Sequence, residues 1–327
     1  MLAVGPNGAG KTNLLESLHL GTQGFSPRTR SDAQLIRFGE SAGRVGLRGA
    51  RAPGVPVELE VTLRAGAGKQ GKLNGAPLRA AEQLRTEVAT LVFTPDRLAV
   101  VKGGPAVRRA YFDRALGRLS PARAELAASY AAAVGQRNAA LRRASLGLSS
   151  RDAIAPWTEQ VAALGAELVT ARVETLELLG PVFATRAGEL GLSEAGFRYE
   201  GEPVTAERLE ARLERDLERG TTGLGPHLDD LAILSGDREL RAFGSQGEQR
   251  LAVLSLLLAE ADAIAERRGV PPLLLLDDVL SELDPDRRRT LAGQLAGRGQ
   301  TLITATNAGA LPGEPEQLVE VSPGRAV

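Results

Sequence analysis

Two groups of polar residues, one at each end of the chain, have the types and spacing to bind a phosphorylated ligand. The first reads Gly5-Pro6-Asn7-Gly8-Ala9-Gly10-Lys11-Thr12. A short apolar strand signal precedes it and a helix signal follows it. Glycines at these positions let backbone N–H groups curl around phosphate oxygens, and the start of a helix adds its positive dipole end.

The last residues of this loop carry the expected chemistry. Lys11 is expected to reach the terminal phosphates, and the Thr12 hydroxyl to ligate Mg²⁺. The alternative is a glycine-rich turn with a chance lysine. The strand before the loop and the helix after it favour a nucleotide site.

The second group is a pair of carboxylates, Asp277 and Asp278, directly after the four leucines 273–276. Such an apolar run predicts a central parallel strand that delivers carboxylates at its C-terminal edge. Asp277 is expected to hold Mg²⁺ through water, and Asp278 to act as the base or to position the attacking water. A solvated strand end is the alternative. Two adjacent carboxylates repel each other without a cation, which favours the metal site.

A third motif, Ser245-Gln246-Gly247-Glu248-Gln249, comes shortly before the acidic strand. Alone it predicts a capped helix start, in which Ser245 caps the helix and Glu248 closes a capping box. Its place in the chain suggests more, because Ser281-Glu282-Leu283-Asp284 follows the acidic strand.

The elements that must position these residues form an α/β fold. Strand signals occur at 2–4, 44–64, 91–93, 231–234, 273–276 and 301–304, with a possible edge strand at 318–321, and turn residues occupy 66–75. Helical spacing dominates from Pro105 to Arg219, with predicted breaks at Ser120-Pro121, Gly147, Pro156, Gly180-Pro181 and Gly201-Pro203. We therefore predict a P-loop ATPase head of mixed or parallel sheet, residues 1–100 and 222–327, interrupted by a compact helical lobe, 101–221.

Composition excludes several classes of site. The 327 residues include no cysteine and two histidines, so disulfides, thiolate zinc sites and thiol nucleophiles are excluded and a zinc hydrolase is disfavoured. The N-terminus lacks the charged region of a signal peptide, and no apolar run approaches the ~20 residues that span a bilayer. We expect a cytoplasmic protein without a membrane partner.

Basic residues are concentrated between Arg97 and Arg151. Eleven lysines and arginines oppose only Asp113 and Glu125, a local charge of +9 in a chain with 40 basic and 40 acidic residues. Such a cluster can neutralise DNA phosphates. Charge alone favours equally the alternative that these residues form an exposed helical face and pair with acidic side chains of the same molecule. The acidic residues within Glu207–Glu218 could provide such partners. Aromatic residues make up 3% of the chain, which favours backbone contacts over base stacking.

The order of P-loop, S-x-G-x-Q, acidic strand and S-x-L-D resembles that of ABC-type ATPase heads. In that family the signature of one subunit covers the ATP held by the P-loop of the other. The resemblance implies that Ser245, Gln246, Gly247 and Glu248 contact a nucleotide in trans, and that Ser281 and Asp284 lie at the dimer seam.

Three further stretches are similar to the RecF family of bacterial recombination mediators. They are Gly10-Lys11-Thr12-Asn13-Leu14-Leu15-Glu16, then 93–113 with its T-P-x-x-L, G-G-P and paired-arginine patterns, and Gly225-Pro226-His227-Leu228-Asp229-Asp230-Leu231. The resemblance adds Asn13 to the nucleotide site. It implies an ATP-dependent homodimer on DNA duplexes or single/double-strand junctions, with a weak DNA-stimulated ATPase, acting with RecR and RecO to load RecA. Arg108, Arg109, Arg142 and Arg143 are its candidate DNA contacts.

The chain also departs from the pattern. Only four residues precede the loop, whereas the family has a longer leading segment, and Leu228 replaces an arginine. Asp278 stands where transporters have glutamate, which predicts slow hydrolysis. No switch histidine or Q-loop glutamine is evident, and Thr306 is a candidate substitute for the histidine. The alternatives are an SMC-like head, disfavoured by the short and broken insert, and a transporter nucleotide-binding subunit, disfavoured by the missing Q-loop and histidine.

Overall fold

The computed structural model describes residues 1–29, 31–51, 54–281 and 283–327, which pack as two units. The first unit combines Met1–Arg97 with Ile264–Val327, and the second comprises Leu98–Ala263. Residues 222–263 thus pack with the helical residues, although the sequence assigns them to the ATPase domain. The division into an ATPase domain, 1–100 and 222–327, and a helical lobe, 101–221, stays a prediction.

The described strands and helices alternate in the chain as an α/β fold requires. The strands are β1 (Leu2–Val4), β2 (Ala42–Arg51), β3 (Val55–Arg64), β4 (Gly68–Leu73), β5 (Ala76–Pro77), β6 (Thr90–Phe93), β7 (Ala195–Glu200), β8 (Asp230–Ser235), β9 (Arg238–Glu239), β10 (Leu273–Leu276), β11 (Thr301–Ala305), β12 (Leu318–Ser322) and β13 (Arg325–Ala326). The helices are α1 (Lys11–Gln23), α2 (Ala99–Lys102), α3 (Pro105–Leu119), α4 (Leu126–Ser145), α5 (Ala155–Glu189), α6 (Ala206–Glu210), α7 (Leu213–Arg219), α8 (Leu240–Phe243), α9 (Gln246–Arg268) and α10 (Pro285–Leu295).

The sheet that positions the polar motifs lies in the first unit and has the order β13-β12-β1-β11-β10-β6. All its pairs are parallel except β12 with β13. Parallel strands are covered on both faces, which explains the uninterrupted leucines of β10. The stretch 318–321, predicted as a possible edge strand, is interior, because β12 pairs with β1 on one side and β13 on the other.

Parallel pairing brings the carboxyl ends of four strands to one edge of this sheet. The loop after β1, the residues after β6 and β10, and the end of β11 therefore meet there. The predicted strand signals at 2–4, 91–93, 273–276 and 301–304 are confirmed by these pairings.

A second sheet of the first unit is antiparallel, in the order β2-β3-β4-β5. Leu59, Val61 and Leu63 of β3 alternate inward and pack with Leu20 of α1. Helix α1 approaches β2 closely at Gly21, where a Cβ would lie 2.6 Å from a methyl of Leu47 and would require that side chain to shift. The predicted turn 66–75 is only partly a turn: Gly68–Leu73 form β4, and Asn74-Gly75 is a two-residue hairpin turn, with φ of 48° and 80°.

Helices and the small sheet β7-β8-β9 make up the second unit. The core between α3, α4 and α5 includes Leu116, Tyr130, Val161 and Leu168, each at most 2% exposed. Burying one such leucine contributes about 1.5–3 kcal/mol. Residues 195–200, assigned to the helical region from the sequence, are instead strand β7 paired antiparallel with β8.

One predicted helix break is wrong. The 35-residue helix α5 runs through Gly180-Pro181, a length of about 52 Å at 1.5 Å per residue. Proline removes one N–H from the helix ladder, but Pro181 lies on an exposed face, where water can replace the missing donor. Within the described residues, no helix is both long and apolar enough to cross a bilayer.

Candidate nucleotide-binding site

The carboxyl edge of the large sheet contains a cavity of ≈ 400 Å³. Its lining residues all belong to the first unit and come from the ends of β1, β6, β10 and β11: Asn7, Gly8, Gly10, Lys11, Thr12, Asn13, Pro95, Asp277, Asp278, Thr304 and Thr306. The fold thus brings together the P-loop and the acidic pair, which are separated by more than 260 positions in sequence.

Glycine conformations shape the loop. Gly8 and Gly10 have φ of 81° and 104°, in the left-handed region that favours glycine. A Cβ on Gly5 would lie 2.3 Å from the carbonyl oxygen of Val321, so that position admits no side chain. Helix α1 begins at Lys11 without a side-chain cap on its N-terminus. A helix start of this kind is suited to an anion.

Lys11 is folded onto the loop that precedes it. Its Nζ donates to the carbonyl oxygens of Gly5 at 2.7 Å and Pro6 at 3.0 Å. Both bonds are to the backbone of the loop itself. The ammonium group therefore lies within the curl that is expected to hold phosphates.

The Thr12 hydroxyl and the Asp277 carboxylate face each other. Thr12 Oγ1 lies 3.0 Å from Asp277 Oδ2 and 3.2 Å from Oδ1. Asp277 is only 7% exposed. A second hydroxyl, Thr304 Oγ1, donates to Asp277 Oδ1 at 2.6 Å.

Asp278 adopts an unusual backbone conformation, with φ of 49°. Its N–H donates to Thr304 Oγ1 at 2.9 Å, and its carbonyl oxygen accepts from Ser281 Oγ at 3.0 Å. A left-handed conformation costs a non-glycine residue of order 1–3 kcal/mol and is characteristic of functional sites.

The donor set at this edge suits a hard cation. Hydroxyl and carboxylate oxygens are the ligands that Mg²⁺ prefers, usually one or two carboxylates together with substrate phosphates. Among the described residues, no group of three or more His, Cys, Asp or Glu side chains is arranged to hold a metal. Thr12 and Asp277 therefore fit a magnesium ion that arrives with a nucleotide, and they do not form a self-sufficient cage.

The signature segment lies in the second unit and forms the capping box that the sequence predicts. Ser245 N–H donates to Glu248 Oε2 at 2.7 Å, and Glu248 N–H donates to Ser245 Oγ at 3.2 Å. The bond from the Ser245 backbone holds the pKa of Glu248 below its usual range. Ser245, Gln246 and Gly247 are exposed, and a Cβ on Gly247 would meet nothing closer than Ser245 Oγ at 3.9 Å.

Asp284, expected at a dimer seam, caps helix α10 in the structure. Its Oδ1 accepts from the Arg287 N–H at 2.9 Å, which lowers the pKa of its carboxyl. Ser281 is exposed. Glu282, the intervening residue of the S-x-L-D motif, lies outside the described residues.

Much of the basic cluster is paired within the second unit. The ion pairs join arginines of 97–151 to acids far along the chain: Arg118 to Glu260, Arg123 to Glu174, Arg137 to Asp216 and Arg151 to Glu214. Two of these acids belong to Glu207–Glu218. The alternative of intramolecular pairing therefore holds for these arginines.

The prediction that Arg108 contacts DNA is wrong. Its side chain is 1% exposed, and its Nε and Nη2 donate to the two carboxylate oxygens of Asp230 at 2.7 and 2.5 Å. Burial raises the pKa of Asp230, but the bonds from Arg108 and the Leu231 amide and the nearby arginine charges together outweigh it, and the pKa lies below the usual value. Arg109 is half-buried and donates to the Asp229 carbonyl oxygen at 2.5 Å. Arg142 and Arg143 are exposed.

The Gly225–Leu231 stretch is a hydrogen-bonded turn. His227 Nδ1 lies 2.7 Å from the Tyr130 hydroxyl, and His227 Nε2 lies 3.0 Å from the Thr222 carbonyl oxygen. The carbonyl requires a proton on Nε2, so Nδ1 accepts from Tyr130. Burial is the main cause of a His227 pKa below its usual value. His227 is thus a structural residue of the turn.

Thr304 and Pro95 are the lining residues that sequence reasoning missed. Thr304 offered a signal, because it is a polar residue inside an apolar strand that ends beside the acidic pair. Thr306, proposed as a histidine substitute, lines the cavity.

Comparison with known proteins agrees with this arrangement. The family described as "RecF/RecN/SMC N terminal domain" matches residues 1–326. The DNA replication and repair protein RecF of Heliobacterium modesticaldum is 38% identical over 96% of this chain and 88% of its own length. The RecF protein of Myxococcus xanthus is 36% identical over 95% of this chain and 85% of its own.

Solved structures give the same result. The recombination mediator protein RecF with ATP, of the RecFOR pathway, has a TM-score of 0.89 at 27% identity, over 100% of this chain and 90% of that one. The Smc head of Pyrococcus furiosus has a TM-score of 0.56 at 17% identity, over 98% of this chain and 86% of that one, and shows the shared fold alone. The chain belongs to the RecF family, one of the RecF/RecN/SMC-type ATPases.

Proposed function

We propose that this protein is an ATP-dependent DNA clamp of recombinational repair. ATP binding closes two copies on DNA at a duplex or a single/double-strand junction, and slow hydrolysis releases them. The observation that carries the proposal is the Thr12–Asp277 contact in the lining of a cavity built on the P-loop. The similar structure described as RecF-ATP supports ATP as the ligand.

The P-loop and the acidic pair divide phosphate binding, metal binding and hydrolysis between them. The backbone of Gly5 to Gly10 and the start of α1 surround the phosphates, and Lys11 exchanges its bonds to Gly5 and Pro6 for phosphate oxygens. Thr12 and Asp277 hold Mg²⁺, which supplies neutralisation of the charge that develops on the phosphates. Asp278 orients the attacking water or takes its proton.

The signature would act on the nucleotide of a second copy. Ser245, Gln246 and Gly247 are exposed, and among the described residues the atom nearest to a Cβ on Gly247 would be Ser245 Oγ, at 3.9 Å. Glycine costs a helix about 0.5–1 kcal/mol relative to alanine, so its presence in an open first turn points to close approach by an outside group. Glu248 holds Ser245 in place through the capping box, and Ser281 and Asp284 lie at the proposed seam.

Hydrolysis is proposed to be slow and stimulated by DNA. The Asp278 carboxylate is one methylene shorter than a glutamate, and its backbone is held in a strained conformation. Thr306 lines the cavity where a switch histidine would stand. The reaction would then time the release of DNA.

DNA contact is assigned to the exposed basic residues, foremost Arg142 and Arg143 at the end of α4. Arg109 is a weaker candidate, because it is half-buried and donates to the Asp229 carbonyl oxygen at 2.5 Å, whereas Arg142 is exposed and donates to the Gly220 carbonyl oxygen at 3.3 Å. As members of the pathway that the similar structure is named for, RecR and RecO are the proposed partners and RecA the protein they load. A cytoplasmic location accords with that role.

The decisive experiment measures molecular mass and DNA affinity with ATP and with ADP. We expect a dimer and tight binding to tailed duplexes with ATP only. Lys11→Met should abolish nucleotide binding, and Ser245→Arg should preserve it while preventing the dimer. Lys72→Met, at a half-buried lysine outside the cavity, and Ser193→Arg, at an exposed serine, are changes of the same kind and should behave like the unmodified protein. If mass and DNA affinity of the unmodified protein do not respond to ATP, the clamp proposal fails.

A further inference from the structure

The hydroxyl of Thr304 forms hydrogen bonds with both acidic residues of the site. The residue lies near the end of β11, is 0% exposed, and takes part in no phosphate-binding or signature motif of the sequence. Its hydroxyl donates to Asp277 Oδ1 at 2.6 Å and accepts from the Asp278 N–H at 2.9 Å.

These two bonds fix the direction of the hydroxyl. A threonine hydroxyl has one proton and two acceptor sites, and an ionised carboxylate only accepts. The proton of Thr304 must therefore point to Asp277, which leaves a lone pair for the Asp278 amide. A single buried group thus links the carboxylate of one acid to the backbone of the next.

Each bond restrains a different feature of the site. The bond to Asp277 Oδ1 holds the carboxylate so that Oδ2 lies 3.0 Å from Thr12 Oγ1. The bond from the Asp278 N–H supports the left-handed backbone there, with φ of 49°. Without Thr304 Oγ1, the Asp278 N–H would lose this part-buried hydrogen bond, and the strained conformation would lose support.

We propose that Thr304 is a positioning residue that couples the magnesium-binding carboxylate of Asp277 to the orientation of Asp278. Any shift of Asp277 toward a bound cation is passed through the Thr304 hydroxyl to the backbone of Asp278. The expected effect on nucleotide binding rests on the proposed function. The two hydrogen bonds that link Thr304 to Asp277 and to Asp278 are formed within the chain itself.

Matched threonine substitutions test the role of the hydroxyl. Thr304→Val removes the hydroxyl at nearly constant volume, and Thr304→Ser keeps it while removing the methyl group. Thr301→Val is the control, because Thr301 lies on the same strand and its buried Oγ1 has no hydrogen-bond partner among the described residues. It should leave every measurement unchanged.

The first measurement is amide hydrogen exchange at Asp278 without nucleotide. Thr304→Val should accelerate exchange roughly fivefold to tenfold, the effect of one lost hydrogen bond, and Thr304→Ser should restore it. Unchanged exchange in a folded Thr304→Val protein would overturn the proposal. This measurement does not depend on ATP, so its failure is distinguishable from failure of the proposed function.

The second measurement is fluorescent ATP-analogue binding as a function of Mg²⁺. Thr304→Val should raise the Mg²⁺ concentration at half-saturation, and lower kcat, by about 10- to 100-fold each, the usual effect of removing a group that orients a metal ligand. Binding in EDTA should not change. If Thr304→Ser is as impaired as Thr304→Val, the methyl group and not the hydroxyl matters, and the proposal is wrong.

Discussion

The Thr12 hydroxyl and the Asp277 carboxylate lie in hydrogen-bonding contact across 265 positions of sequence. The contact exists because β1 and β10 flank β11 in a parallel sheet, so that the segments after them emerge at the same edge. Neither residue forms a metal site alone. Together they define the place where a cation would meet a nucleotide.

Magnesium should bind here only with nucleotide. Asp277→Asn should weaken Mg²⁺-dependent ATP binding about 10- to 100-fold or more, because a neutral amide replaces the only buried carboxylate that Thr12 contacts in the described structure. Calorimetry with ATP, Mg²⁺ and EDTA measures the effect. The exposed Asp96→Asn change is the control. Tight Mg²⁺ binding by the unmodified protein without nucleotide would contradict this assignment.

Asp278→Asn should separate ATP binding from hydrolysis. Asparagine tolerates the left-handed backbone, so the fold and nucleotide affinity should persist. Loss of a base or water-positioning carboxylate should lower kcat by about 10²- to 10⁴-fold. Phosphate release and light scattering should then find a long-lived ATP dimer. Unchanged turnover would show that Asp278 does no chemistry.

Gly247→Ala should have opposite effects on stability and on dimerisation. The added Cβ meets no atom within 3.9 Å, and alanine in a helix is favoured over glycine by about 0.5–1 kcal/mol. We expect a slightly higher Tm of the monomer and a weaker ATP-dependent dimer. Gly135→Ala, also open and helical, should raise Tm without affecting the dimer. A normal dimer of Gly247→Ala would remove the reason given for this glycine.

Arg108 should contribute to protein stability, whereas the exposed Arg142 and Arg143 should contribute to DNA binding. Arg108→Ala leaves the Asp230 carboxylate without its buried partner and should destabilise the protein by about 3–5 kcal/mol. Replacing both Arg142 and Arg143 by alanine should leave stability within about 0.5 kcal/mol. The double change should instead weaken DNA binding and reduce its salt slope by about 2. Urea unfolding and DNA titrations at several salt concentrations provide both values.

Stability should fall in mild acid because of His227. Its folded pKa lies below the usual 6.5, mainly through burial. The unfolded chain therefore binds the proton more readily, so the contribution is complete above pH 6.5 and is lost as pH falls toward the folded pKa. Protonation of Nδ1 would also force the Tyr130 hydroxyl to change from donor to acceptor in this bond.

Thermal unfolding from pH 8 to 5 measures this effect. His227→Gln should lower stability at pH 8 and flatten the decline. His19→Gln is the comparison, since the other histidine is buried while His227 is half-buried. An identical pH profile for His227→Gln and the unmodified protein would exclude His227 as the cause.

The sequence predicted the parts of the site that depend on local pattern. The P-loop, the acidic strand and the capping box at Ser245 each combine a backbone requirement with a fixed spacing, so few other structures satisfy them. Helix α5 shows the limit of this reasoning. Pro181 breaks a helix only where its missing bond cannot be replaced, and its exposure is a property of tertiary packing.

The burial and pairing of the charged residues were the properties least predictable from the sequence. Arg108 and Arg137 belong to the basic stretch in sequence, yet both are buried against acids that follow 122 and 79 positions later. Nothing local to an arginine indicates such a partner. Thr304 was missed although it is a polar residue inside an apolar strand, because its two partners follow a different strand, β10.

The left-handed backbone at Asp278 has a consequence for how this protein can change. Glycine or asparagine would fit that conformation more easily than aspartate. A screen for heat resistance should therefore enrich substitutions at position 278 that no longer turn over. Selection for thermal stability and selection for ATP turnover are expected to favour different residues at position 278. The residue found there shows which selection has been stronger.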